Sequence, residues 1–280
     1  MEEIQKEFVR NGWIVVDFPD SSAVLRTREA LNKQLCELIG KETSLEEYHQ
    51  YFADDQAHTK MQVAMTEFYR QKKFCFDIVS SALPILTKIV GPDVSMQANP
   101  YLRMARPHKK QDNIGYHRDT HYGGAPYELS FFVPFVDLKR ENCLGVVSGT
   151  HIHAEERYPT TQILNPDKEV VKGSPKHQLG FLYAPKVMDQ SIEEEIEPIP
   201  LKVGQALLFA LPLVHGCCCN FDAVTRWSSD IRIMNSYAPV EMGTRTPIYA
   251  PIARSPISYC AQKYEEANGT RDEVEVELCV

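Results

Sequence analysis

The sequence lacks any long hydrophobic run. No stretch approaches the roughly 18 consecutive apolar residues that a membrane-spanning helix requires. The first residues, Met1-Glu2-Glu3, begin an acidic amphipathic stretch and not the apolar core of a signal peptide. We therefore expect a cytoplasmic protein that has no membrane partner.

The sequence also lacks an excess of positive charge and a spaced cysteine motif. Lysine and arginine total 30 against 38 aspartates and glutamates, a formal net charge of −8, whereas a nucleic-acid partner would require a basic face. The 8 cysteines include the adjacent Cys217-Cys218-Cys219 but no zinc-type Cys-x-x-Cys pair. We interpret them as reduced apolar residues, with a zinc site at the adjacent cysteines as the alternative. With membranes and nucleic acids excluded as partners, we expect a small-molecule partner. The oligomeric state stays open.

What the sequence does contain is a helical first third followed by many short strands. We predict one domain over 1–280, with residues 1–90 mainly helical around one strand, Trp13–Phe18. From 91 to 245, short β-branched and aromatic runs alternate with Gly, Pro and Asn. These predicted strands are Val94–Ala98, Tyr101–Ala105, Glu128–Val136, Gly145–Val147, Phe181–Tyr183, Ile196–Leu201, Ala206–Ala210 and Ile231–Tyr237. This order predicts an antiparallel barrel or jelly roll with helices packed outside it, followed by a C-terminal extension over 246–280.

A long insertion interrupts the predicted strands between Thr160 and Leu201. It contains Asn165-Pro166-Asp167, Gly173-Ser174-Pro175 and the acidic run Glu193-Glu194-Glu195. A solvated loop is one interpretation. A lid over a ligand is the other, because long segments beside a barrel mouth often have that function.

Two residues of the stretch Gly115–His121 have the spacing of metal ligands. On an extended strand or at a strand exit, His117 and Asp119 would lie on the same side, where an imidazole and a carboxylate can share one ion. His-x-Asp is common by chance, so the prediction depends on a third ligand. His215 follows the buried strand Ala206–Ala210 and precedes Gly216, which lets the backbone turn. Together the three predict a two-histidine, one-carboxylate site of the kind found in non-haem Fe(II) oxygenases.

Arg226 and Ser228 are candidate ligands for a carboxylate. Arg226 lies eleven residues after His215, and on a strand it shares a face with Ser228. A guanidinium binds a carboxylate through two parallel hydrogen bonds, and the hydroxyl can add a third. A surface arginine is the alternative.

Four blocks of the sequence, read in order, resemble the phytanoyl-CoA dioxygenase superfamily of Fe(II)- and 2-oxoglutarate-dependent oxygenases. The blocks are His117-Arg118-Asp119, Glu141 to His151, Val203 to Phe209 with His215-Gly216, and Arg226 to Arg232. The second block is one residue shorter than the family's stretch and has Ser148 where the family has proline. The resemblance covers most of residues 5–240 and implies a double-stranded β-helix (jelly roll) core.

The resemblance also implies roles for individual residues. His117, Asp119 and His215 would bind Fe(II), and Arg226, followed by Ser228, would bind 2-oxoglutarate, with O₂ as the other cosubstrate. Because Asp119 is present, the halogenating variants that lack this carboxylate are disfavoured.

Polar residues on the predicted strands indicate the substrate. Arg103, Glu128 and Arg232 are candidate substrate-binding residues, although Arg232 could instead pair with Asp230 or Glu128. Other polar residues expected at the cavity edge are Arg106, Arg118, His121, Tyr122 and Asp230. So polar a cavity favours a sugar, an amino acid or a natural-product intermediate over a fatty acyl chain, and hydroxylation is the expected outcome. His151 and His153 are expected to be structural.

Two other classes of function compete with the oxygenase. One is a non-catalytic, cupin-like protein that binds a metal or a small molecule, which has no need of the Arg226/Ser228 pair. The other is an iron-free isomerase or lectin-like module, against which the His-x-Asp and the distant histidine argue.

Overall fold

The chain begins with a layer of helices. The computed structural model describes residues 1–161, 185–188, 192–217, 219–239 and 249–268. Its helices are α1 (Glu3–Asn11), α2 (Ser22–Ile39), α3 (Asp55–Gln71), α4 (Phe74–Val90), the single turn α5 (Ile192–Glu195) and α6 (Pro256–Asn268). The first four fall within the predicted helical part, and α2 buries Leu31 and Leu35 on one face, as an amphipathic helix should. At the start of α3 the Asp54 carboxylate caps the helix by accepting from the Ala57 amide at 2.8 Å.

The strands form two antiparallel sheets. They are β1 (Trp13–Asp17), β2 (Val94–Gln97), β3 (Tyr101–Ala105), β4 (Glu128–Pro134), β5 (Leu144–Val146), β6 (Glu197–Ile199), β7 (Gln205–Ala210), β8 (His215–Gly216), β9 (Arg226–Asn235) and β10 (Tyr249–Ala253). The major sheet has the order β1-β7-β4-β9-β2-β10, with β3 also pairing with β9, and the minor sheet has the order β6-β5-β8. The predicted fold class, mainly β with helices outside a jelly-roll core, is confirmed.

Strand β9 links the helical layer to the space between the sheets. Its Trp227 is fully buried, and the indole Nε1 donates to the Leu45 carbonyl of the helical layer at 2.7 Å. Because side chains alternate along a strand, Arg226, Ser228, Asp230 and Arg232 project from the opposite face. These four side chains line a cavity together with residues of the minor sheet such as Leu144 and Gly216.

Several sequence predictions fall wholly or partly outside the described residues. The strand Phe181–Tyr183 lies there, as does most of the insertion that was interpreted as a lid or a loop. Within the C-terminal extension, β10 pairs with β2 and adds a strand to the major sheet. Among the described residues, no helix is both long enough and apolar enough to span a membrane.

Candidate metal centre and cosubstrate pocket

The structure brings the three predicted metal ligands together at the edge of the minor sheet. His117 and His215 exchange two backbone hydrogen bonds, from each amide to the other's carbonyl, at 2.9 and 3.0 Å. Gly216 makes this pairing possible because a Cβ at its position would lie 2.7 Å from the Gly115 carbonyl oxygen, and its φ of +154° also favours glycine. The Gly that follows His215 in the sequence therefore allows the two histidine segments to approach each other.

The ligand atoms have a geometry that suits one metal ion. Asp119 Oδ1 lies 3.3 Å from His117 Nε2 and 3.7 Å from His215 Nε2. Two ligands bound about 2.1 Å from one ion at right angles lie roughly 3 Å apart. All three residues are buried, and among the described residues they form the only group of at least three His, Cys, Asp or Glu side chains that could hold a metal.

Both imidazoles are oriented by a hydrogen bond from the nitrogen that faces away from the carboxylate. His117 Nδ1 lies 2.7 Å from the Gly115 carbonyl oxygen, and His215 Nδ1 lies 2.9 Å from that of Leu213. A carbonyl accepts only from a protonated nitrogen, so these contacts place the proton on Nδ1 and leave the Nε2 lone pair directed at Asp119. This arrangement is typical of metal-binding histidines.

The electrostatics of the site favour the charge states that bind a cation. Burial alone would raise the pKa of Asp119, but the Arg232 guanidinium and the two imidazoles hold it well below its usual range. Burial lowers the pKa of His215 to about 4, against the opposing effect of Asp119. At neutral pH the site therefore presents an ionised carboxylate and a neutral imidazole.

Arg226 and Ser228 lie in the same cavity with unused donors. Arg226 is 5% exposed, and its Nη1 and Nη2 donate to neutral acceptors, the Asn142 carbonyl at 3.2 Å and Asn113 Oδ1 at 2.9 Å. Within the described part of the chain, Arg226 Nε and Ser228 Oγ are buried without a hydrogen-bond partner. Buried donors of this kind normally have a partner. The carboxylate of a ligand in the cavity would provide one, so this pair fits the predicted cosubstrate.

The three predicted substrate-binding residues lie in different surroundings. Arg103 lines the cavity and pairs with Asp230 at 3.2 Å. Arg232 also lines it, and its Nη2 contacts Asp119 Oδ2 at 2.5 Å, so this guanidinium pairs with one of the predicted metal ligands. Glu128 is not among the lining residues, and its Oε2 accepts from the Tyr249 hydroxyl at 2.7 Å.

Two arginines that were expected at the cavity edge are held by structural contacts. Arg106 is buried and binds both oxygens of Asp112, with Nε–Oδ2 at 2.7 Å and Nη2–Oδ1 at 2.8 Å. Arg118 is fully buried, donates to the carbonyls of Thr150 and His153, and lies over the Tyr158 ring. These arginines fix the loops on either side of the metal ligands.

Asn113 is a cavity residue that the sequence did not reveal. Its Oδ1 accepts from Arg226 while its Nδ2 donates to the Lys109 carbonyl at 3.1 Å, which fixes the orientation of the amide. Asn113 belongs to none of the motifs, and its contact joins positions 113 residues apart in sequence. Only the tertiary structure brings the two together.

Other polar residues near the motif have ordinary structural contacts. His151 Nε2 contacts the Val9 carbonyl, His153 Nδ1 contacts the Tyr158 hydroxyl, and His121 Nε2 contacts Glu155. The cysteines of the described residues are free thiols: Cys36, Cys75, Cys143, Cys217, Cys219 and Cys260.

The cavity has a volume of about 560 Å³, which includes the solvent at its mouth. His117, Asp119, His215 and Arg226 all line it.

Comparison with known proteins gives structural matches alone. No protein-family model and no curated protein matches the chain. A non-heme monooxygenase, ThoJ in its apo form, aligns with a TM-score of 0.54 at 14% identity, over 90% of this chain and 80% of that one. The ThoJ–Ni complex aligns at 0.51 with 13% identity over the same shares. EvdO2 from Micromonospora carbonacea var. aurantiaca complexed with 2-oxoglutarate aligns at 0.50 with 15% identity, over 92% and 96%. At these identities the similarity establishes a shared fold.

Proposed function

We propose that the chain is an Fe(II)- and 2-oxoglutarate-dependent dioxygenase of the phytanoyl-CoA dioxygenase superfamily. Its proposed reaction is the oxidation, as hydroxylation, of a small polar metabolite such as a sugar, an amino acid or a natural-product intermediate. The observation that carries the proposal is the pair of buried donors without partners, Arg226 Nε and Ser228 Oγ, in the cavity that the His117–Asp119–His215 cluster also lines. Two of the structural matches, the ThoJ–Ni complex and EvdO2 complexed with 2-oxoglutarate, support the same chemistry.

Each element of the cavity has a distinct part in this function. His117, Asp119 and His215 would hold Fe(II), which when bound with 2-oxoglutarate supplies the oxidising chemistry. Arg226 and Ser228 would orient the keto acid by its distal carboxylate, and Asn113 would fix Arg226. The polar wall formed by Arg103 and Asp230 would orient the hydroxyl or amino groups of the substrate.

A succinate assay tests the oxygenase directly. Protein loaded anaerobically with Fe(II) and 2-oxoglutarate is exposed to O₂ with panels of sugars, amino acids, natural-product intermediates and fatty acyl compounds. We expect iron-dependent succinate that a polar metabolite increases, and none from His215→Ala. A wild-type protein that binds the metal and 2-oxoglutarate but forms no succinate with any panel would instead indicate the non-catalytic, cupin-like protein.

A further inference from the structure

The two oxygens of the Asp119 carboxylate have different neighbours. Its Oδ1 faces the metal-binding nitrogens of His117 and His215 at 3.3 and 3.7 Å. Its Oδ2 contacts Arg232 Nη2 at 2.5 Å. Because the Asp119 side chain is 1% exposed, water does not compete for either oxygen from the protein surface.

Both partners of this contact are fixed by their backbones. The Asp119 amide donates to the Leu211 carbonyl at 3.0 Å, and the Asp119 carbonyl accepts from Gly124 at 2.9 Å. Arg232 belongs to the central strand β9, where it pairs with Ser130 of β4. The two side chains therefore meet between rigid elements, and a rotation of the carboxylate would break the contact with the guanidinium.

The way a carboxylate binds a metal depends on whether its second oxygen is held by another group. A carboxylate can bind one ion through a single oxygen or through both, and the second mode takes another coordination position. A guanidinium that forms an ion pair with that oxygen competes with the metal for it by electrostatic attraction. A facial triad in a 2-oxoglutarate enzyme needs three open positions, two for the keto acid and one for O₂.

We propose that Arg232 is a positioning residue that retains Asp119 Oδ2 and thereby restricts Asp119 to metal binding through Oδ1. The proposal rests on the proposed metal site and adds a residue that is not itself a ligand. Its consequence is that three coordination positions stay open. Without Arg232, Oδ2 can turn to the metal and occupy one of them.

The cavity provides a matched control in Arg103. The side chains of Arg103 and Arg232 have the same exposed fraction, 20%, and both project into the cavity. Arg103 pairs with Asp230, which is not one of the predicted metal ligands. Arg103→Gln therefore removes the same charge from the same cavity without releasing an oxygen of Asp119.

The test counts open coordination positions on bound Mn(II), without 2-oxoglutarate or O₂. Pulsed electron paramagnetic resonance in ¹⁷O-labelled water measures how many exchangeable waters the ion holds. We expect three in the wild type and in Arg103→Gln, and two in Arg232→Gln. Arg232→Lys, which keeps a positive charge, should restore the third position in part of the molecules.

Each alternative result has its own meaning. Three waters in a folded Arg232→Gln variant would overturn the proposal, and so would two in the wild type, a measurement that does not depend on whether any variant folds. If Mn(II) binding is unaffected by His117→Ala, the proposed metal site itself is wrong. That outcome is separate from a failure of the role of Arg232.

Discussion

The histidines near the cavity differ in the groups that their ring nitrogens face. In His117 and His215 the Nδ1 atom contacts a nearby carbonyl and Nε2 faces a buried carboxylate. His151 belongs to the second of the four sequence blocks, but its Nε2 contacts the Val9 carbonyl. His121, two residues after Asp119, uses Nε2 for Glu155. Sequence spacing selects the candidates, and the contacts of each ring distinguish the candidate ligands from the other histidines.

The first prediction concerns these ligands. Replacing His117, Asp119 or His215 by alanine should weaken Fe(II) binding by at least about 10–100-fold, the range that loss of an outer-shell partner alone can reach. His151→Ala removes an imidazole outside the site and should leave the affinity within about threefold of the wild type, well inside that range. Metal titration of the apoprotein measures each dissociation constant. The contrary result is loss of the metal in a Cys217→Ser/Cys218→Ser/Cys219→Ser variant while the histidine variants keep it. That result would assign the metal site to the cysteines.

The second prediction concerns Arg226. A hydrogen bond to a charged group contributes roughly 1.5–3 kcal/mol, so Arg226→Ala should weaken 2-oxoglutarate by about one to two orders of magnitude. Arg226→Lys should recover only part of this loss, because an ammonium cannot bind a carboxylate through two parallel N–H groups. Both variants should keep their metal content.

Titration of 2-oxoglutarate into the anaerobic Fe(II) protein, followed by the absorption of the chelate, gives the affinities for this second prediction. Arg140→Ala is the control, because it removes a guanidinium from an exposed position near Asn142. Equal affinity in Arg226→Ala and Arg140→Ala would show that Arg226 does not bind the cosubstrate.

At the scale of the element, strand β9 shows why the sequence predicted this strand only in part. The apolar pattern predicted a strand over Ile231–Tyr237, whereas β9 spans Arg226–Asn235. Its first half alternates cavity residues with Trp227 and Ser229, so its hydrophobic pattern is weak although all its residues up to Ser229 are buried. The polar residues that weaken this hydrophobic pattern are those that line the cavity.

The pairing of these elements could not be read from local pattern. His117, Asp119, His215 and Arg226 could be predicted because each belongs to a short motif with a chemical reason for its spacing. The contacts of Arg232 with Asp119 and of Asn113 with Arg226 join separate elements. They depend on the register between β9 and the loop that precedes β4, which no local pattern encodes.

The third prediction concerns the approach of the two histidine segments. Gly216→Ala would place a Cβ 2.7 Å from the Gly115 carbonyl oxygen, so the segments must separate and the two ligands move apart. We expect weaker metal binding, by about tenfold or more, together with a lower melting temperature.

Gly40→Ala provides the control for this prediction. Gly40 also has a positive φ, +73°, but a Cβ there meets nothing within 4 Å. That variant should lose roughly 1 kcal/mol of stability and keep the metal affinity of the wild type. Equal metal affinity in both variants would contradict the role assigned to Gly216.

At the scale of the whole molecule, a buried polar network joins the helical layer to the cavity. The Tyr48 hydroxyl lies 3.0 Å from His58 Nδ1, and His58 Nε2 lies 3.6 Å from Asp112 Oδ1. Asp112 in turn binds Arg106 and lines the cavity. The helices outside the jelly roll therefore support the wall of the site through polar contacts as well as apolar packing, and a group in this network should report on the stability of the whole fold.

The last prediction is a pH dependence that arises from His58. Burial lowers its pKa from an ordinary 6.5 to about 4, with Arg106 and Lys109 acting in the same direction and Asp112 and Asp55 opposing them. Since the folded-state pKa lies below the unfolded one, the unfolded chain binds a proton first as the pH falls. The stability that His58 contributes is therefore complete above about pH 6.5 and is lost progressively towards pH 4.

Between pH 7 and pH 5 this loss should amount to about 2 kcal/mol of unfolding free energy. Chemical denaturation at a series of pH values measures it, with His58→Gln as the reference, because every other titrating group is common to both proteins. We expect the wild type to lose more stability than His58→Gln over this range, even though the variant is less stable at pH 7. Parallel curves for the two proteins would mean that His58 is not held neutral by the fold, and that the network between the helices and the cavity tolerates a charged imidazole.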